Sequence, residues 1–563
     1  MRPFREQFTL RGLVVGAVGC VIITASSVYL ALKLGALPWP IFFVVLFALF
    51  ALKALARVGA RRRRGSPGGR DTNINEANVS ATVMTAGAMV AGGLAFTIPG
   101  IYLLDPAADV SVLSIMLCAL CGVVLGCIGT ALMRRHFIED SALPFPIGTG
   151  AAKTLVAGDT GGRKAILLFA AMGVSGAFGV ARDALAALPS ILFSWVSIPG
   201  VRFGIYCSPM ALAMGFLIGV VPALVWLVGG LVGDFGIVVG MTALGVWDTD
   251  FAQGVKLSLG IGVMIGCGIG IVVKVVAAKA VTLLRPTPTA SSSRKGGASD
   301  QRGRRATLPL RWAPFAVAGV FAIMAALLGL GVVESLLCVA LVWVVMAMAA
   351  QCTGQAGLNP MEVFGLVVLL TITIVSRIGG VEAFLVTAVA TVCCGFVGDL
   401  MNDFKAGHLL KTSPRAQWLG EAIGGIVGAV VGAAVIAVLI TVYGPESFGP
   451  EKQFVAAQAS AVSALVGGIP NLPAFGIGAA SGLVLYLLGA PVITLGLGIY
   501  LPFYLSLTVA LGAAARFVSE RVAPRWTRSE NSTVLASGLL AGESIVGILI
   551  ALVFFFGGML GGA

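Results

Sequence analysis

Apolar stretches long enough to cross a bilayer follow one another through this chain, at 11–33, 38–56, 77–103, 111–133, 165–187, 209–233, 253–276, 312–333, 335–352, 361–377, 381–397, 418–443, 491–514 and 532–556. A helix needs about 20 apolar residues to traverse roughly 30 Å of hydrocarbon. Lipid offers no partner to a backbone N–H or C=O, so a span must satisfy its own, and segments of this length do so as α-helices. The chain therefore reads as an all-α polytopic integral membrane protein. Charged residues make up only 11% of it, against about 25% in soluble domains. The 76 glycines suit membrane helices that approach closely or break where neighbours re-satisfy them. Four shorter apolar pieces, at 143–158, 190–208, 454–470 and 473–489, read as re-entrant or broken helices, which predicts about 14–16 spans.

The net charge of +13 is concentrated: six arginines and no acid between Arg57 and Arg70, and seven basic residues against one aspartate between Arg285 and Arg311. Such patches can serve nucleic acid, but between membrane spans they follow the positive-inside rule, and no nucleic-acid partner is expected. The N-terminus, the 57–70 loop, the 285–311 segment and the arginines of 516–528 are thus predicted to be cytoplasmic. That leaves Asp105 with Asp109, Asp234 with Asp248, and Glu446 with Glu451 outside. Arg2, Arg5 and Arg11 precede an apolar run too long for a signal peptide and without a small-residue cleavage site, so it is read as the first span.

Residues 285–311, rich in Ser, Gly, Pro and Lys/Arg, cannot form a packed core. They divide the chain into membrane halves at 1–284 and 312–563. Short echoes recur in the same order: Gly204-Ile205-Tyr206 then Pro209 against Gly498-Ile499-Tyr500 then Pro502, and 155–158 against 465–468. They suggest the duplicated architecture of secondary transporters. The ten cysteines lie mostly within apolar runs and make no disulfide framework; Cys118 and Cys121 form a lone CxxC, with no second pair to make a metal site.

Five places set polar groups or helix breakers into this apolar frame. In 73–85, Glu76, Asn78, Ser80 and Thr82 share one helical face, or else form an interfacial cap with Glu76 near the positive helix end. In 143–158, two prolines and Gly148-Thr149-Gly150 break a helix just before Lys153, whose ammonium either snorkels towards Arg163 and Lys164 or meets an anionic ligand. In 351–362, Gly354, Gly357 and Pro360 interrupt a helix, leaving backbone groups that Gln355 and Asn359 can help satisfy. The 398–417 stretch is a polar island carrying Asp399, Asp403 and Lys405 between two apolar runs. Glu543 lies inside the last span, as a proton carrier or as the partner of a buried base such as Lys405. Ionisable groups at membrane depth are by default candidates for substrate or ion pathways.

No phosphate-binding loop, paired zinc spacing or nucleophile elbow is present, and His136 and His408 stand at span ends, so ATP-driven and hydrolytic chemistry lack support. What remains is a carrier coupled to an ion gradient, or a channel.

The run GDLMNDFKAGHLLKTSPRAQWLGE at 398–421 resembles the signature of the oligopeptide transporter (OPT) family. In the same order, 8–35, 73–104, LPFPIGTG at 143–150, GLNPM at 357–361 and LASGLLAGES at 535–544 are similar to that family, covering nearly the whole chain. The resemblance, to the prokaryotic type related to the yellow-stripe-like metal-chelate transporters, implies a helical carrier of the inner (plasma) membrane. Such a carrier would import small peptides or metal chelates of amino-acid-like ligands with a proton gradient, and without a cofactor.

Departures from the family pattern are Ile147 and Lys153 where acids are common, Ala81 for Gln, Ala88 for Glu, and Ala457 for the Pro before Gln458. They exchange negative for positive charge and favour a substrate with net negative charge or a free carboxylate over a cationic peptide, since Lys153 could neutralise it. The expectation is a secondary transporter, not an enzyme, whose partners are a small solute and the lipid bilayer, with a homodimer allowed for. Candidate substrate-binding or coupling residues are Glu76, Asn78, Thr82, Lys153, Gln355, Asn359, Asp399, Asp403, Lys405 and Glu543, and no metal ligand is assigned. Metal-chelate uptake is the alternative. A polytopic enzyme acting on lipid-linked substrate is more remote, since the 398–417 island offers no nucleophile.

Overall fold

A computed structural model of the chain describes residues 3–34, 41–62, 73–141, 143–159, 163–284, 310–356, 359–376, 378–449, 452–467 and 469–561. The first half contributes helices α1 (Leu10–Leu34), α2 (Ile41–Arg62), α3 (Ile74–Ala95), α4 (Val112–Arg134), α5 (Pro146–Asp159), α6 (Arg163–Gly179), α7 (Pro209–Ile218), α8 (Val220–Gly230) and α9 (Thr249–Leu284). The second contributes α10 (Ala313–Ala326), α11 (Val332–Ala356), α12 (Met361–Ser376), α13 (Gly380–Leu410), α14 (Pro414–Tyr443), α15 (Ala457–Gly467), α16 (Leu472–Leu487), α17 (Val492–Tyr500), α18 (Phe503–Val522) and α19 (Glu530–Gly561). The protein is an all-α polytopic membrane protein, and among the described residues nine helical stretches are long and apolar enough to cross a bilayer. The basic segment 285–309 lies outside the described residues.

Glycine sets how closely these helices pack. Gly262 and Gly266 of α9 face Gly478 and Gly482 of α16, and a methyl group added to Gly478 would sit 2.5 Å from the Leu259 carbonyl oxygen. Small residues four apart on both partners let the backbones touch, the means by which helices associate where lipid removes the hydrophobic drive. The two halves interlock rather than stand apart. α3 packs against α1 of its own half and against α13 and α14 of the other, and α13 is surrounded by α3, α4, α5, α11 and α12.

Three sequence expectations are corrected. The 398–417 island does not interrupt the helix before it: α13 runs unbroken from Gly380 to Leu410 and ends on Lys411 at φ 59°. Pro414 then begins α14, a residue favoured in a first helical turn, where a missing N–H costs nothing. The polar residues continue the helix because Asp399 and Asp403 fall one turn apart on a face that other helices cover.

The 190–208 piece is not helical but forms two short antiparallel pairs. β1 (Ile191–Leu192) pairs with β4 (Ile205–Tyr206), and β2 (Ser197–Ile198) with β3 (Val201–Arg202). Pro199-Gly200 makes the tight connection, with Gly200 at φ 75°, as a type II turn requires. Asp234, expected in an outer loop, is instead buried in a π-helical stretch and ion-paired to Lys256 of α9 at 2.6 Å.

Two predicted spans are broken. Gly219, at φ 92° and ψ 173°, separates α7 from α8, a conformation other residues rarely hold. Pro502 separates α17 from α18 and keeps Leu501 extended, at ψ 153°. The broken helices pair with one another, α7 on α18 and α8 on α17. The Gly-Ile-Tyr echoes before them differ in form, one ending in strand β4 and the other ending α17.

Candidate functional site

Helices α3, α13 and α14 meet around three carboxylates. Asp399 and Asp403, one turn apart on α13, are joined by Glu421 of α14, and one oxygen from each lies within 4.8 Å of the others. All three side chains are buried. Neither carboxylate oxygen of Asp399 or of Glu421 has a hydrogen-bond partner. Asp403 accepts from the Thr85 hydroxyl of α3 at 3.3 Å, and Gln417 holds the backbone there by donating to the Asp403 carbonyl at 2.6 Å.

Two unit charges 4 Å apart repel by roughly 4 kcal/mol even at an effective dielectric constant of 20. A buried, unpaired carboxylate carries a further desolvation cost. Three together need positive charge to neutralise them, as protons or as a cation. The three carboxylates carry six oxygens between them, a donor set that can take shared protons, which need no coordination shell, or a hard cation whose shell water completes.

Two broken segments brace this part of α13. Asn402 accepts from the Gly148 amide, at the start of the short helix α5, at 3.1 Å. A side chain on Gly148 would collide with the Asn402 carbonyl. Lys405, half-buried, donates to the Leu143 carbonyl at 2.7 Å, and Phe145, at φ 42°, donates its amide to Gly354. From the turn before α12, Asn359 donates to the Cys394 carbonyl at 2.9 Å, while its own Oδ1 and the Thr353 hydroxyl are buried and unpaired.

The predicted residues thus divide. Asp399, Asp403, Lys405 and Asn359 lie on or against α13. Thr82 is on α3, bonded to the Asn78 carbonyl, and Asn78 reaches Thr412 in the turn after α13 at 3.2 Å. Glu76 sits at the start of α3, capped by Thr9 and ion-paired with Arg11 at 2.5 Å. Lys153 is exposed on α5. The Gln355 side chain lies outside the described residues.

Glu543 belongs elsewhere, and its partner is not Lys405. It pairs with Arg182 at 2.7 Å and accepts from the Ser208 hydroxyl and the Met210 amide, each at 2.9 Å. Sequence reasoning missed Glu421, Thr85 and Arg182. Glu421 had a signal, being the one acid within the apolar run 418–443 and the last residue of the 398–421 motif.

Comparisons with known proteins identify the family. A family model described as "OPT oligopeptide transporter protein" matches residues 7–554. A Haemophilus influenzae protein named "Putative oligopeptide transporter" is 25% identical, over 86% of this chain and 88% of that protein.

Proposed function

Because the chain belongs to the OPT oligopeptide transporter family, we propose that it imports short peptides across the cytoplasmic membrane in symport with protons, which are taken up and released at Asp399, Asp403 and Glu421. The observation that carries this reading is the cluster itself: three buried carboxylates with no counter-cation among the described residues, two of them without any hydrogen-bond partner. Such a group gains or loses positive charge whenever access to it changes, which is what coupling to an ion gradient needs. Thr85 and Gln417 position Asp403, and the broken segments at α5 and before α12 supply elements that can move against α13.

The purified protein in liposomes should accumulate labelled di- to hexapeptides when an inward proton gradient is imposed, and Asp403→Asn should remove the gradient dependence. Peptide uptake that is the same with and without the gradient would refute the coupling. Uptake of an amino-acid-derived metal chelate, with none of peptides, would replace the substrate.

A further inference from the structure

The turn between α11 and α12 is set against the middle of α13. Asn359 donates to the Cys394 carbonyl, and Cys394 lies fourteen residues from Gly380 and sixteen from Leu410, about 21 and 24 Å along the axis of α13. Helix α12 therefore begins halfway along a helix long enough to cross the bilayer. A side chain on Gly395 would collide with Met361, and one on Gly365 with Thr391, so the start of α12 is pressed onto α13.

Glu362 stands in the first turn of α12. It lines a small cleft with Met264 and Ile265 of α9, Gln458 and Ala461 of α15, and Ile493 of α17. The cleft measures about 10 Å3, the room of one water molecule. Apart from its own backbone amide, no group among the described residues donates to the Glu362 carboxylate, and no cation pairs with it.

The charged groups on the surrounding helices are committed elsewhere. Lys256, eight residues before Met264 on α9, is ion-paired with Asp234. Asp399, five residues past Cys394 on α13, belongs to the acid cluster, none of whose residues lines the cleft, and Glu334 stands at the far end of α11. Nearer at hand, the described titratable groups are thiols and a phenol: Cys267 on α9, Cys352 on α11, Cys394 on α13 and Tyr486 on α16. The residues that α15 and α17 bring to the cleft are uncharged. Two opposed effects then act on Glu362. Apolar surroundings disfavour its charge, and the amino end of α12 favours it. A carboxylate so balanced, with room for one water beside it, is placed to exchange a proton.

We propose that Glu362 is a second proton-exchanging carboxylate of the transport cycle, separate from the cluster of Asp399, Asp403 and Glu421. Its carboxylate takes a proton from hydronium in the cleft, leaving water, and returns it to water when access to the cleft changes. The proposal rests on the proton-symport reading for the use made of that proton. Asn359, three residues before Glu362, ties the same turn to α13, so a change of charge at Glu362 bears on the helix that carries the cluster.

The test is acid titration of the purified full chain followed by infrared spectroscopy, with proton and peptide fluxes of the same preparations measured in liposomes. On acidification the wild type should gain a protonated-carboxyl band that Glu362→Gln lacks and Asp403→Asn retains. Glu362→Gln should also carry fewer protons per peptide than the wild type. Glu362→Asp, which keeps a carboxylate, should restore both the band and the ratio, which separates loss of the proton site from loss of the fold. The proposal is overturned if Glu362→Gln shows the same bands as the wild type, if Asp403→Asn loses the same band, or if Glu362→Asp restores neither property. It is overturned equally if the band is lost while the proton-to-peptide ratio stays the same. If the Glu362 band is present but the wild type moves no peptide, or moves it without protons, the proton site stands and the symport reading falls.

Discussion

Arg182 and Glu543 meet at 2.7 Å with neither side chain exposed, although 361 residues separate them in sequence. The guanidinium also takes Asp183 and the Cys207 carbonyl, and the carboxylate takes Ser208 and the Met210 amide. The pair locks α19 to the π-helical end of α6 and to the start of α7. Breaking a buried pair on one side strands the other charge, at a cost of about 3–5 kcal/mol, whereas replacing both by apolar groups is often neutral.

Arg182→Met should therefore sharply lower the thermal-unfolding midpoint in detergent, and adding Glu543→Leu should recover most of the loss. A double variant as unstable as the single one would show that the charge pair is not what holds these helices.

The carboxylates of Asp399 and Glu421 make no hydrogen bond that an amide would lose. Asp399→Asn and Glu421→Gln should leave thermal stability unchanged or raise it, since like charges are removed. Proton-driven accumulation should fall by about 5- to 150-fold, the usual span of a coupling free energy, while exchange of labelled for unlabelled peptide continues. A variant that kept its accumulation ratio would take that carboxylate out of the coupling.

Two glycines of α16 provide a controlled comparison. Gly478 is pressed against the Leu259 carbonyl, whereas an added methyl at Gly476 would meet nothing within 4 Å. Gly478→Ala should destabilise by about 1–3 kcal/mol through overpacking. Gly476→Ala should be neutral or slightly stabilising, because alanine is the better helix former. Unfolding curves of the two variants, measured side by side, decide the matter; equal midpoints would mean that α9 and α16 are not in backbone contact.

Gly148 docks the start of α5 on Asn402. Gly148→Ala should speed hydrogen exchange through 146–159 while α13 stays protected. Unchanged exchange would mean that the docking contact does not hold α5 in place.

The sequence made the helical membrane class legible through the length of its apolar runs, and it pointed to the 398–417 stretch through the rarity of acids in such a chain. It misjudged how that stretch folds. Counting polarity along the chain cannot show that Asp399 and Asp403 fall on one covered face of a continuous helix, a point that a 3.6-residue period makes only when the neighbours are known. The Pro199-Gly200 dipeptide was a readable turn signal, overlooked because the surrounding residues are apolar. Arg182 was beyond reach, because its partner lies in the last helix and nothing in local pattern links them.

The placement of the acid cluster along α13 carries an electrical consequence. Asp399 lies nineteen residues beyond Gly380, about 28 Å along the helix axis, while Glu421 is only seven residues, or about 10 Å, from the start of α14 at Pro414. If the two ends of α13 face opposite sides of the membrane, a charge arriving from the Gly380 end would travel further along the helix before reaching the cluster than one arriving from the turn at 411–413. At about 2.3 kcal/mol per charge for each 100 mV, a cation exchanged at the cluster by the two routes would feel voltage unequally.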